Sequence, residues 1–67
     1  MGDFKISMAA ARVNANMTQG ELAEKMGVSI VTILKWEKGT TAPTILQFKK
    51  FCEICGAPED IIFLPGE

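Results

Sequence analysis

Residues 18–39 constrain the fold of this chain more than any other part of it, because they carry two short helical patterns joined by a turn. Thr18 can cap the first helix, and Glu21 three residues later completes a capping box. Gly27 can end that helix, since glycine readily takes the left-handed conformation that follows a last helical turn. Ser29 can then cap the second helix. Two helices joined by such a short, glycine-bearing turn form a helix-turn-helix, which this segment is predicted to adopt.

The flanking residues predict further helices on both sides of this motif. Ser7 can cap a first, alanine-rich helix, and Thr44 with Gln47 forms a second capping box that opens a fourth. Gly56 ends that helix, and Pro58 opens a short fifth one. We therefore predict an all-α fold, a compact five-helix bundle in a single domain of residues 1–67, with its helix-turn-helix at residues 18–38. The core is predicted to receive Ile45, Phe48, Phe51, Cys52 and Cys55 from the fourth helix, and Ile62 and Phe63 after the fifth.

Length and composition place the chain among small ordered domains. It has 67 residues, of which 48% are apolar, and this argues against disorder. A core of this size is marginal alone, so dense packing or a dimer partner is expected. No apolar stretch is long enough to span a membrane. The N-terminal residues lack the build of a signal peptide, since Asp3 comes early and no apolar run follows. We therefore expect a cytoplasmic protein with no membrane partner.

Charges are distributed unevenly along the chain. The net charge of −1 is unusual for a nucleic-acid binder. Residues 1–50, however, hold all seven basic residues and four of the eight acidic ones, whereas residues 51–67 hold four acidic residues and no basic one. One end could therefore approach a phosphate backbone that the other end avoids. A chance asymmetry of the solvated surface is the alternative, and the charges alone do not decide between the two.

The residue types argue against metal and catalytic chemistry. Cys52 and Cys55 are spaced C-x-x-C, but a zinc site needs about four ligands and the chain has no histidine. Free cysteine is usually buried, so core packing is the prediction for both. There is no tyrosine, and no pair of carboxylates flanks a plausible cleft. We expect no enzyme, no metal, no cofactor and no small-molecule ligand.

Several motifs together resemble those of the phage repressor and Cro-like helix-turn-helix family, often called the Xre family. They are Thr-Gln-x-Glu-Leu-Ala at residues 18–23, Gly-Val-Ser at 27–29 and Ile-x-Lys-Trp-Glu-x-Gly at 33–39, followed by Pro43 and the ending at 56–63. The resemblance covers roughly residues 5–64. It implies a lambda-repressor-like domain of five helices in a dimeric, DNA-binding regulator of transcription, of the kind many phages and mobile elements carry.

The resemblance also implies roles for individual residues. Gln19 matches a glutamine that hydrogen-bonds a DNA phosphate, and a helix N-terminus itself attracts phosphate. Arg12 and Glu37 match a structural ion pair that links the first helix to the end of the third. The alternatives are a plain surface glutamine and two separate surface charges. The predicted DNA-binding residues are Gln19, Ser29, Ile30, Val31, Thr32, Leu34, Lys35, Lys38, Thr40 and Thr41.

The third helix departs from the family at the positions that read bases. Ile30, Val31 and Leu34 stand where hydrogen-bonding side chains are common, and only Lys35 among the four positions is polar. Aliphatic groups can contact thymine methyls, so double-stranded DNA with A·T-containing sites is the expected partner. An exposed aliphatic cluster can also bind protein. We therefore predict a sequence-specific regulator of transcription, and the alternative is a protein-interaction module of antirepressor or antitoxin type.

A homodimer is also expected, because helix-turn-helix proteins commonly place two recognition helices on a two-fold DNA site. The interface should lie away from the third helix. Ile54, Ile61 and Leu64 are predicted to form it, on outward faces within the acidic segment. The alternative is that these side chains complete a small core.

Overall fold

Four α-helices organise residues 5–63, the part of the chain that the computed structural model describes. They are α1 (Met8–Asn14), α2 (Gln19–Met26), α3 (Ile30–Lys38) and α4 (Ile45–Cys55), and a 3₁₀ turn follows at Glu59–Ile61. No strand forms in this part of the chain, so the fold is all-α.

All four helices begin at a hydroxyl side chain that accepts a hydrogen bond from a backbone amide of the first turn. The caps of α2 and α4 are complete capping boxes, in which Glu21 and Gln47 accept in return from the cap residue's own amide. Each such cap contributes about 1 kcal/mol, so together they fix where the short helices begin. The four caps are Ser7, Thr18, Ser29 and Thr44.

The turn between α2 and α3 depends on a left-handed residue. Gly27 has φ of 74°, and the amide of Val28 then donates to the carbonyl of Ala23 at 3.0 Å. Val28 packs half-buried against the core directly after the turn. The turn brings α2 and α3 into contact. Ala23 is buried in α2, and its small side chain allows the two helices to pack closely.

One core joins all four helices. Phe51, Met8, Leu22 and Ile33 are its largest fully buried side chains, and Trp36 is 3% exposed. A single continuous cluster of this kind supports one domain. Its remaining buried members are Ala11, Ala23, Met26, Cys52 and Ile62.

A fifth α-helix is not present among the described residues. Glu59–Ile61 form one 3₁₀ turn, and Ile62 is already extended, with φ of −105° and ψ of 123°. The helix cannot continue because Ile6 and Ile62 form a parallel bridge: the Ile6 amide donates to the Ile61 carbonyl at 2.7 Å, and the Phe63 amide donates to the Ile6 carbonyl at 3.1 Å. The segments that enter α1 and leave α4 are thereby tied together.

Two predicted core residues are exposed. Ile45 is 76% exposed: it opens α4, and at about 100° per residue it lies about 70° from the centre of that helix's apolar face. Phe63 is 43% exposed, because alternation in extended chain buries Ile62 and turns the next side chain away.

The residues predicted for a dimer interface are less outward than expected. Ile54 and Ile61 are half-buried and pack against the core, so much of their apolar surface contributes to folding. Leu64 lies outside the described residues.

Candidate nucleic-acid interface

Helix α3 divides into an inner and an outer face. Ile33 and Trp36, three residues apart, are buried against the rest of the molecule. The side chains at the four positions predicted to read bases, together with Lys38, fall within a sector of about 140° on the other side, at about 100° per residue. The helix is therefore anchored along one side and free along the other, as a helix that enters a groove must be.

The outer face of α3 is aliphatic at its N-terminal end. Ile30 is 46% exposed and Val31 is 52% exposed, while Leu34 one turn later is half-buried. Ile30 also lies beside the start of α2, since its Cδ1 would be 3.9 Å from a Cβ placed on Gly20. The start of α3 therefore lies beside the start of α2. We call the three aliphatic side chains on the outer face of α3, Ile30, Val31 and Leu34, the aliphatic edge.

Basic side chains flank the aliphatic edge. Lys35 and Lys38 are exposed in the last turn of α3. Lys25, in the last turn of α2, instead lines a depression with Glu21 and Glu24. The acidic residues of the segment that follows α4 lie elsewhere in the chain, and Glu59 there pairs with Lys49 at 3.4 Å. This part of the surface therefore favours a polyanion.

The two hydroxyl groups at the start of α3 satisfy each other. Ser29 Oγ lies 3.0 Å from Thr32 Oγ1 and also accepts from the Thr32 amide at 3.2 Å. Both had been predicted to contact DNA. Their mutual bond holds them close to the helix end, where one hydroxyl hydrogen remains to be donated outward.

Gln19 is held by a network that sequence reasoning missed. Its Nε2 donates to Glu37 Oε1 at 3.0 Å, and Arg12 Nε donates to Glu37 Oε2 at 2.8 Å. Arg12 Nη1 also donates to the Met17 carbonyl at 2.9 Å, in the turn before α2. The carboxylate of Glu37 therefore fixes both the ion pair and the amide predicted to meet a phosphate.

This network is shielded from water. The side chains of Arg12 and Glu37 are only 14% and 10% exposed. Coulomb attraction and hydrogen bonding are stronger there than on an open surface. The 18-residue separation of Gln19 from Glu37 carries no local sequence signal, and only the packing of α2 against α3 brings the two side chains together.

The backbone amides of the loop after α3 are hydrogen-bonded within the protein. The Thr40 amide donates to the Lys35 carbonyl at 3.0 Å, which closes the end of the helix around Gly39, itself left-handed with φ of 83°. Thr40 and Thr41 are both exposed. Their hydroxyls are accordingly the groups with which this loop can reach a phosphate.

The two cysteines lie on the core side of α4. Cys52 is buried, and burial raises the pKa of its thiol and raises the pKa of the half-buried Cys55 thiol to about 11. Both are therefore protonated thiols at neutral pH. Among residues 5–63, no group of three or more histidine, cysteine, aspartate or glutamate side chains is placed to hold a metal ion. No helix in the same range has the length and apolar character needed to cross a membrane.

A capped helix-turn-helix in a four-helix fold, with one face of its second helix exposed and two lysines in the last turn, is the architecture expected of a DNA-binding domain. A family model described as helix-turn-helix matches residues 8–62, which is most of the chain. The chain belongs to this family, the Cro/C1-type helix-turn-helix proteins, and is a DNA-binding regulator of that class. No curated protein and no solved structure gave a significant match to the chain.

Proposed function

We propose that this protein is a sequence-specific regulator of transcription of the phage or mobile-element repressor type, which inserts α3 into the major groove of double-stranded DNA. The observation that carries the proposal is the outer face of α3, where Ile30 and Val31 are about half exposed and exposed lysines follow in the last turn. A helix of about 10–12 Å diameter fits a major groove about 12 Å wide.

The contacts would divide between the DNA backbone and the DNA bases. Lys35, Lys38, the hydroxyls of Thr40 and Thr41, and Gln19 hold the phosphates, which orients the domain but carries no sequence information. The aliphatic edge meets base edges and supplies the preference for thymine, whose methyl group projects into the major groove. Ser29 and Thr32 lie between the two kinds of contact at the start of α3.

We further propose that two copies bind a two-fold DNA site. The half-buried Ile54 and Ile61, together with the exposed Phe63 beside them in the chain, leave apolar surface in the acidic segment. An isologous contact there would keep both recognition helices free.

A second candidate is a protein-interaction module, of antirepressor or antitoxin type, that uses the same helix. The aliphatic side chains at 46% and 52% exposure favour it. Salt separates the two candidates, because displacement of counterions makes DNA binding weaken steeply with salt, whereas burial of apolar surface does not.

Fluorescence anisotropy with a labelled random-sequence duplex, titrated at several salt concentrations, tests the proposal. With two lysines on phosphates, the slope of log K against log salt should be about −2 per bound protomer. Absence of binding at low salt, or binding insensitive to salt, would favour the interaction module.

A further inference from the structure

We propose that the protein reads the C5-methyl group of pyrimidines, and therefore accepts 5-methylcytosine in place of thymine at the base pairs that meet the aliphatic edge. This rests on the proposed function, in that α3 must enter the major groove. It goes further by naming the chemical group that is recognised and by predicting that modified DNA is bound differently from unmodified DNA.

The aliphatic edge offers no polar group for reading a base. Ile30 and Val31 are about half exposed and present only methyl and methylene groups. Neither can donate or accept a hydrogen bond, so neither can distinguish the O4 acceptor of thymine from the N4 donor of cytosine. What these side chains can detect is a methyl group that removes apolar surface from water on contact.

The polar groups near the edge are held at the start of α3 or lie about one turn beyond it. Thr32 Oγ1 lies 3.0 Å from Ser29 Oγ, which places it against the end of the helix. Lys35 is four residues beyond Val31, about 6 Å along the helix axis at about 1.5 Å per residue. Lys35 is also assigned to a phosphate in the proposed function, so it is not the group that reads the base pair at Val31.

DNA is the partner that the charges near the aliphatic edge favour. Charge complementarity favours DNA over an apolar protein surface, because Lys35 and Lys38 are exposed on the same helix as the edge. Thymine and 5-methylcytosine carry their methyl groups at the same ring position, so both project the same apolar group into the groove. At the contacted position, cytosine should bind poorly, and 5-methylcytosine should bind like thymine.

The test uses one duplex half-site, selected by the protein from random-sequence DNA, and remade in four versions. At each thymine in turn the base is kept, replaced by uracil, replaced by cytosine with its paired guanine, or replaced by 5-methylcytosine with guanine. Removal of one contacted methyl group should weaken binding about fourfold, the effect of about one buried methyl. The 5-methylcytosine version should regain at least that factor over the cytosine version.

Variants assign the effect to the edge. In Ile30→Ala or Val31→Ala the fourfold difference between thymine and uracil should vanish at one base pair. Leu46→Ala is the matched control, since Leu46 is an aliphatic side chain 79% exposed in the first turn of α4, and it should keep the difference. Ile30 and Val31 are largely outside the core, so thermal melting should show all three variants folded.

The outcomes separate this inference from the function on which it rests. Equal binding of the thymine and uracil versions at every position, with steep salt dependence retained, would overturn methyl recognition and leave DNA binding intact. Failure to select any half-site, with loss of a protein partner in Ile30→Ala, would overturn both.

Discussion

At the scale of single residues, Glu37 is the most connected polar group of the helix-turn-helix. Its carboxylate accepts from Arg12 and from Gln19, and it is nearly buried. Glu37→Ala leaves the Arg12 charge without its partner, which should lower the free energy of unfolding by about 3 kcal/mol. Glu59→Ala is the control, because its pair with Lys49 is about half exposed, and it should change stability by less than about 1 kcal/mol. Urea unfolding measures the stability of both variants. Equal midpoints would show that the Glu37 network does not stabilise the fold.

Cys55 offers a second residue-scale prediction. Burial raises the pKa of its thiol from 9.0 to about 11, and only the thiolate is alkylated. At pH 8 the native protein should react with iodoacetamide about a hundredfold more slowly than the same chain unfolded in guanidinium, since each pKa unit lowers the thiolate fraction about tenfold. The native rate should continue to rise with pH up to about pH 11. A native rate equal to the unfolded rate would show a thiol that is neither buried nor perturbed.

At the scale of elements, α3 is expected to separate phosphate contacts from base contacts. Lys38→Ala should weaken binding to all duplexes about equally and reduce the magnitude of the salt slope by about one. Lys50→Ala is the control: Lys50 is equally exposed, but it lies on α4, and its loss should leave the slope unchanged. Anisotropy titrations over a salt series measure the slopes. A changed sequence preference in Lys38→Ala would instead make Lys38 a base contact.

Elements were predictable from the sequence where their signals are local. The capping residues of all four helices, and the left-handed Gly27, act within a few residues of their own position. The 3₁₀ turn was mistaken for a helix because the competing bridge to Ile6 comes from the other end of the chain. The Gln19–Glu37 bond was missed because its two residues lie 18 positions apart. Ile45 was misplaced because it opens α4 at the margin of the apolar face, where nothing packs over it.

At the scale of the whole molecule, the proposed dimer would form through the exposed apolar surface around Phe63. Phe63 is 43% exposed, and its backbone is fixed by the bridge to Ile6. Phe63→Ser should therefore leave the fold intact while weakening a dimer and its cooperative occupancy of two half-sites. Ile61→Asp is a poorer test, because Ile61 packs against the core and its substitution would also unfold the monomer.

Sedimentation equilibrium and titration of a two-half-site duplex measure this effect. Val13→Ser, with a side chain 58% exposed on α1, serves as the control and should dimerise normally. If Phe63→Ser still occupied both half-sites cooperatively, the contact would lie elsewhere, first in the loop at residues 39–43.

The central claim is that α3 enters the groove of DNA. Amide chemical shifts of ¹⁵N-labelled protein, followed as a selected single-half-site duplex is added, test it most directly. The account predicts the largest changes in α3, at the start of α2 and at Thr40 and Thr41, with residues 51–63 nearly unchanged. Changes concentrated in residues 51–63, or the same changes with a scrambled duplex at equal affinity, would contradict it.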